Sequence, residues 1–135
     1  MFLGDSMQSH GSFKLFIKDQ TLVVKAIGAW NYEEAVSFGN EYKRLVCKLR
    51  DKPWGCLVDL TEWELFTPDA SDYIDELNEW GNINNQKYEA VVCDLSIHQD
   101  LLEKSHEVLT NVETKFCENL QQAHEWLEAV GVIKT

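Results

Sequence analysis

The chain has few basic residues for its size, and this shortage excludes two classes of partner. Its 135 residues include 12 lysines and arginines against 23 aspartates and glutamates, a net charge of −11. A nucleic-acid binder needs a basic face that displaces counterions from phosphates, and attachment to anionic lipid also needs basic clusters. We therefore expect a solvated acidic surface, with no nucleic-acid partner.

Long apolar runs are also lacking. No segment approaches the roughly 18 apolar residues that a membrane-spanning helix needs. Residues 1–14 lack a basic region followed by an apolar core, so they do not have the pattern of a secretory signal peptide. The four cysteines are widely spaced, without a C-x-x-C pair, which is typical of free thiols in a reducing compartment. We predict no membrane span and a cytoplasmic location.

The motifs of common catalytic and cofactor sites are missing. The four histidines show neither H-E-x-x-H nor the His/Cys spacing of a zinc site, and the glycines do not form a phosphate-binding loop. Gly4-Asp5-Ser6 resembles the start of an esterase nucleophile block, but no Asp-x-x-His follows near the C-terminus to complete a triad. We predict no catalytic set, no metal and no cofactor, and these absences weigh against an enzyme.

Apolar periodicity predicts an α/β domain over residues 12–135, after a flexible leader at 1–11. Phe13–Lys18 alternates apolar and polar residues as a half-buried strand does, and Thr21–Ile27 is a second, β-branched strand. Strand and helix patterns then alternate. The further strands are expected at 55–60, 90–93 and 113–117, and the helices at 31–49, 67–80, 96–112 and 119–130.

The resulting order, β-β-α-β-α-β-α-β-α, predicts a mostly parallel five-stranded sheet with four helices. Three strand–helix–strand steps follow one hairpin, so the first strand should be the antiparallel one. Asn31 is a predicted N-cap with Glu34 three residues on. The stretch from Trp54 to Trp80 forms the central unit: a buried strand ending at Asp59, a tryptophan-bearing loop, and a helix that ends at Gly81.

Three pieces of the sequence carry a family resemblance. They are Gly28-Ala29-Trp30-Asn31 before the first helix, VDLTEWELFTP from Val58 to Pro68, and AHEWL from Ala123 to Leu127. With the element order and chain length, they resemble the STAS or anti-sigma-factor-antagonist fold and, more narrowly, the small bacterial SpoIIAA-like proteins of unknown function. The resemblance extends from Phe13 to Gly131 and implies a fold rather than an activity.

The same resemblance bears on a phosphorylation switch. In the antagonist proteins, a partner kinase phosphorylates the serine of an Asp-Ser pair at the start of the corresponding helix. Alignment from Asp59 places Thr67 and Pro68 there, and proline cannot accept a phosphate. Thr67 carries a hydroxyl one position earlier, but Asp69 would oppose a phosphate there and an N-cap role explains Thr67. The resemblance therefore implies a module without the usual serine switch, and phosphorylation of Thr67 stays open.

The candidate binding site lies beyond the carboxyl ends of the parallel strands, where open α/β sheets bind ligands. The residues that this edge gathers are Trp30, Asn31, Asp59, Trp63, Thr67, Asp94 and Ser96. Trp30 and Trp63 stand at strand–helix junctions and are expected to be partly exposed, although packing is the favoured interpretation. We predict a non-enzymatic, STAS-like regulatory or binding module that engages a protein partner or small ligand at the Asp59–Thr67 edge.

Two alternatives belong to other functional classes. A small hydrolase or isomerase could use Asp59 and Asp94 as a carboxylate pair, although both also suit hydrogen bonds at strand ends. An apolar-ligand or lipid carrier would need a cavity behind the helices. A homodimer through an exposed helix face or the edge of the first strand is compatible with the sequence, but no residue pattern requires it.

Overall fold

The computed structural model describes residues 11–93 and 110–135. The predicted leader at 1–11 therefore lies outside the described residues apart from Gly11, and so does most of the helix predicted at 96–112. The elements are β1 (Ser12–Lys18), β2 (Thr21–Trp30), α1 (Tyr32–Val46), β3 (Trp54–Phe66), α2 (Pro68–Ile83), β4 (Gln86–Val92), β5 (Glu113–Cys117) and α3 (Leu120–Ala129).

The five strands form one mixed sheet in the order β1-β2-β3-β4-β5. β1 is antiparallel to β2, and the other neighbouring pairs are parallel, which confirms the predicted sheet. When successive parallel strands advance in one direction, right-handed crossovers put their helices on one face. α1 and α2 accordingly pack together on one face, and α3 packs against β3, β4 and β5 from the other side.

An aromatic core fills the space between the sheet and the α1/α2 layer. The Trp30 ring lies 5.9 Å from Phe13, 5.1 Å from Phe38 and 5.5 Å from Phe66, measured between ring centroids. Tyr42 contacts Trp54 in the same layer. A smaller aliphatic core joins the sheet to α3 and to the last residues of the chain. Edge-to-face and tilted ring pairs are favourable beyond the apolar area they bury.

The central strand is longer than the sequence interpretation allowed. Asp59 does not end β3, which continues to Phe66. β2 advances two residues from Lys25 to Ile27 while β3 advances three, from Asp59 to Glu62, and a second one-residue shift follows. Such bulges interrupt the simple alternation of apolar and polar residues. The segment predicted as a loop therefore keeps its pairing with β2.

The predicted helix end at Gly81 is wrong, because α2 continues to Ile83. Gly81 is buried, and a Cβ added there would lie 2.5 Å from the Tyr42 hydroxyl and 2.8 Å from Gln86 Oε1. Glycine is required at this position by the close approach of neighbouring side chains. A helix stop is not its role.

Replacing Gly81 with alanine should destabilise the fold, although alanine is the better helix former by about 1 kcal/mol. Tyr42 and Gln86 are both buried, so we expect the cost of overpacking to exceed the gain in helix propensity. The free energy of unfolding in urea titrations should fall by about 1–3 kcal/mol. Adding Tyr42→Phe should recover part of the loss. The exposed control Glu79→Ala should change stability by no more than about 0.5 kcal/mol; a stabilised Gly81→Ala variant would contradict the packing argument.

Candidate functional site

The carboxyl ends of β2 and β3 meet at the starts of two helices. The Thr67 N–H donates to the Trp30 carbonyl at 3.0 Å, and the last residue of β3, Phe66, is paired with Trp30. Asn31 accepts a 2.9 Å hydrogen bond from the Glu34 N–H and so caps α1 as predicted. We call residues 30–32 and 63–67 the β2–β3 corner. The structure thus brings together four of the predicted site residues: Trp30, Asn31, Trp63 and Thr67.

The two tryptophans of the corner are packing residues. Trp30 is 2% exposed and Trp63 8% exposed, so the expectation of partial exposure is wrong for both, whereas the packing interpretation is confirmed. The Trp30 Nε1–H donates to the carbonyls of Ser12 and Ile27 at 3.2 and 3.1 Å. The Trp63 ring lies 4.8 Å from Phe66. These rings make the corner rigid and do not form an exposed aromatic surface.

Thr67 occupies the N-cap position of α2, but its side chain does not make the capping hydrogen bond. The Thr67 hydroxyl donates instead to Asp69 Oδ1 at 2.7 Å. The same oxygen accepts the Ala70 N–H at 2.9 Å. Asp69 therefore accepts a backbone N–H of the first helical turn, which is the role that was predicted for Thr67. Its negative charge is also favourable beside the positive end of the helix dipole. Pro68 stands in the first turn, as predicted.

Asp59 lies apart from the corner. It sits within β3, is 5% exposed, and accepts hydrogen bonds from the Thr61 N–H at 3.0 Å and the Thr61 hydroxyl at 2.7 Å. Its neighbour Leu57 belongs to the core on the α3 side, and alternation places Asp59 on that face too. The carboxylate thus stabilises the bulge that follows it. Asp94 and Ser96 lie outside the described residues, so the pairing of Asp59 with Asp94 stays a prediction.

A cleft of about 80 Å³ lies between the sheet and the α1/α2 layer, and the sequence did not indicate which residues line it. Its sheet wall is largely apolar. The side chains that line it come from three strands and both helices: Val24, Ala26, Trp30, Phe38, Tyr42, Cys56, Val58, Leu60, Phe66, Ser71, Ile74, Asp75, Leu77, Asn78, Glu89 and Val91. Concave apolar sites with a few polar groups are the usual form of small-molecule sites.

The polar groups of the cleft come from α2 and from β4 of the sheet wall. Ser71, Asp75 and Asn78 repeat at steps of four and three residues, so one stripe of the helix carries them into the cleft beside Ile74 and Leu77. This stripe was visible in the sequence, but an exposed face shows the same spacing. Only the position of α2 on the sheet decides that it faces inward.

Glu89 is the second polar feature of the cleft, and it is 5% exposed. Its Oε1 accepts a 2.8 Å hydrogen bond from Gln86 Nε2, and both residues belong to β4, although they precede the strand predicted at 90–93. Burial, and then the nearby Glu89 carboxylate, raise the pKa of the Cys56 thiol. Burial is also the main cause of the raised pKa of Tyr42. The thiol and the phenol are therefore neutral at neutral pH and poor nucleophiles.

Among residues 11–93 and 110–135, no group of three or more His, Cys, Asp or Glu side chains is arranged to hold a metal ion. In the same part of the chain, no helix is both long and apolar enough to cross a membrane.

Removing the Asp59 carboxylate should lower the stability of the fold, because the Thr61 N–H and hydroxyl would lose their acceptor. We expect Asp59→Ala to lower the free energy of unfolding by about 1–3 kcal/mol, as for hydrogen bonds to a charged group. Thr61→Ala should cost less, and the double variant should cost less than the sum of the two. Glu64→Ala, an exposed change in the same strand, is the control. Unchanged or increased stability of Asp59→Ala would indicate a functional role instead.

Stability should decline at alkaline pH because of Tyr42 and Cys56. Both pKa values are raised in the folded protein above the ordinary 10.0 and 9.0. Their contribution is complete below the unfolded-state values, and it is lost as the pH rises through the folded-state values. Above about pH 9 for Cys56 and about pH 10 for Tyr42, each group should steepen the decline by up to about 1.4 kcal/mol per pH unit. Urea unfolding of Tyr42→Phe and Cys56→Ala at several pH values should show shallower declines; parallel curves would contradict this.

Comparison with known proteins establishes the fold. No family model and no curated relative matches the chain. An uncharacterized protein of the DUF3478 family with a SpoIIAA-like fold, from Shewanella loihica PV-4, matches with a TM-score of 0.71 at 18% identity, over 88% of this chain and 94% of its own.

Two regulatory proteins have the same architecture. An anti-sigma factor antagonist from Mycobacterium paratuberculosis matches with a TM-score of 0.59 at 11% identity, over 87% of this chain and 94% of its own. The Bacillus cell-fate determinant SpoIIAA, in its phosphorylated form, matches with a TM-score of 0.58 at 7% identity, over 86% of this chain and 99% of its own. At these identities the likeness concerns the fold alone. The chain has a SpoIIAA-like fold.

Proposed function

We propose that this chain is a non-enzymatic, STAS-like regulatory module that binds a protein partner at the β2–β3 corner. The fold is shared with anti-sigma factor antagonists, whose name states that they act on a protein system. The observation that carries the proposal is exposed apolar surface next to the buried tryptophans. Leu65, one residue before the end of β3, is 51% exposed, and Tyr32, the first residue of α1, is 45% exposed.

The packed corner supports binding because little conformational entropy is lost when a rigid surface docks. Leu65 is paired with Ala29 across the strands, and Tyr32 packs edge-to-face on Tyr73 of α2. Glu64, the residue before Leu65, is exposed, and exposed Glu62 forms an ion pair with Lys25. Exposed apolar side chains near the Glu64 carboxylate fit a partner that presents an apolar pocket with a basic residue at its edge.

The proposed module works without the serine switch of its structural neighbours. Pro68 stands where the phosphorylated serine would fall at the start of α2, and proline cannot carry a phosphate. The hydroxyl of Thr67 is bonded to the Asp69 carboxylate, so a phosphate on Thr67 would face a like charge at short range. We place the module in the cytoplasm, where its four free cysteines, including the exposed Cys47, stay reduced.

Partner binding should depend on Leu65 and Tyr32. Purified, tagged protein is used to capture interactors from a lysate of the source cells, and enrichment is quantified by mass spectrometry for wild type, Leu65→Glu and Tyr32→Ala. A captured protein is then purified and its affinity measured by calorimetry. We expect Leu65→Glu to weaken binding at least about tenfold, because a charge enters the apolar centre.

Ile83→Glu provides the matched control, since Ile83 is 77% exposed at the far end of α2. It should leave binding unchanged. Loss of binding with Ile83→Glu but not with Leu65→Glu would move the interface away from the corner. A partner that binds both corner variants as tightly as wild type would overturn the proposal.

A second candidate function, binding of a small apolar ligand, is favoured by the cleft. The predicted carrier required a cavity behind the helices, and the cleft between the sheet and the α1/α2 layer is such a space. The volume of the cleft, about 80 Å³, is smaller than the roughly 150 Å³ of an engineered cavity that binds benzene. The ligand, or the part of it that enters, is therefore small.

A further inference from the structure

β1 is an edge of the sheet, and among the described strands its only neighbour is β2. The two-residue turn after Lys18 closes the hairpin on the pair Lys18 and Thr21. Hydrogen-bonded and non-hydrogen-bonded pairs alternate from there along an antiparallel ladder. The residues whose backbone N–H and C=O groups point away from β2 are therefore Phe13, Leu15 and Ile17. An edge of this kind can accept one more strand.

The side chains of β1 alternate between the two faces of the sheet. The odd-numbered residues from 13 to 17 pack against the aromatic core under α1, so the even-numbered residues lie on the opposite face. α3 covers that face over β3, β4 and β5, away from the β1 edge. Phe16 is accordingly 53% exposed, and exposed Lys14 and Lys18 stand two residues to either side of it.

The charges on this face are unbalanced at the edge. Lys14 is paired across the ladder with Lys25, so two lysines stand directly opposite each other. Lys25 forms an ion pair with Glu62 of β3 on its other side. Neither Lys14 nor Lys18 forms an ion pair within the described part of the chain. Like charges directly opposite are destabilising, and a carboxylate on the outer side of Lys14 would offset the repulsion.

From this edge we propose that β1 binds an acidic segment of another protein as an added strand. The segment places an apolar side chain opposite Phe16 and acidic side chains opposite Lys14 and Lys18. The spacing acid-x-apolar-x-acid is the same in both chain directions, so it fits a parallel or an antiparallel strand. Main-chain hydrogen bonds supply affinity in such a complex, and the alternate side chains supply specificity. The surface is separate from the β2–β3 corner, and the inference does not rest on the proposed function.

A second copy of this chain is a poorer occupant of the edge. Antiparallel pairing that sets Phe16 against its copy places each Lys14 opposite a Lys18, and lysines on edge strands are one way in which proteins prevent such pairing. The net charge of −11 would repel an acidic partner at long range. Physiological salt screens charges beyond about 8 Å, so the lysines beside the added strand decide the local interaction.

Three capped peptides of threonine test the proposal by NMR titration of ¹⁵N-labelled full-length protein. The first has a central valine and a glutamate two residues to either side. The second has the same composition, but its glutamates adjoin the valine and so fall on the other face of a strand. The third has lysines in place of the glutamates of the first. We expect saturable amide shifts at Phe13, Leu15 and Ile17 with the first peptide, at least about fivefold weaker binding of the second, and no binding of the third.

Charge reversal on β1 should weaken binding of the first peptide by at least about tenfold in Lys14→Glu, because an attraction becomes a repulsion. Phe16→Thr keeps a good strand former and should weaken binding about fivefold, since the apolar contact is lost. The matched control is Lys115→Glu, which makes the same charge change at an exposed lysine of β5, the strand at the other end of the sheet. It should leave the affinity within about twofold. An equal loss with Lys115→Glu would reduce the effect to net charge and overturn the inference.

The added strand itself is tested by methylating the backbone nitrogens of the first peptide that would face β1. The methyl groups remove the N–H donors and block close approach, so binding should be lost. Equal binding of the methylated peptide would show that no strand is added, and the inference would be wrong.

A membrane is the other acidic surface that this edge could meet. Sedimentation with phosphatidylcholine vesicles containing phosphatidylserine tests it, and we expect no retention of the protein. Retention of wild type but not of Lys14→Glu, together with no peptide shifts, would assign the edge to anionic lipid and overturn the inference.

Discussion

The parallel pairing of β2 with β3 is the constraint on which the rest of the structure depends. It continues across two register shifts to the pair Trp30 and Phe66. Because the two strands end together, the helices that follow them start together, and the Thr67 N–H can bond the Trp30 carbonyl. Both the rigid corner and the orientation of α2 follow from this one pairing.

The same pairing explains why the aromatic residues are buried. A strand that ended at Asp59 would leave Trp63 in a loop, with its ring exposed or covered only by mobile chain. The extension of β3 puts Trp63 beside Phe66 and Trp30 in a continuous ring cluster. Burial of large aromatic side chains contributes more per residue than almost any other apolar contact. The packing of the corner is thus a consequence of core formation.

The corner and the cleft share residues but differ in chemistry. Trp30 and Phe66 belong to both, since they also line the cleft. The corner exposes apolar side chains, whereas the cleft encloses mainly apolar surface with a few polar groups. The fold thus places an exposed surface and a small interior space around the same two rings.

Local features were predictable from the sequence because their causes are local. The alternation of β1, the Asn31 cap of α1 and the short strand Glu113–Cys117 all follow from neighbouring residues, and all are confirmed. The element order likewise leads to the mixed sheet through the handedness of crossovers. Even the extension of β3 had a signal, since Glu62 and Glu64 alternate with Trp63 and Leu65, although the bulges interrupted it.

Other features depend on how distant elements pack, and the sequence contains no local sign of them. Gly81 looked like a helix end, and only the approach of Tyr42 and Gln86 shows why it must lack a side chain. Asp75 and Glu89 line the cleft because of where α2 and β4 pack, and nothing in their neighbouring residues indicates it. The sequence by itself determined the order and type of the described elements. Tertiary packing alone decided which polar groups face inward, because burial depends on contacts between residues far apart in the chain.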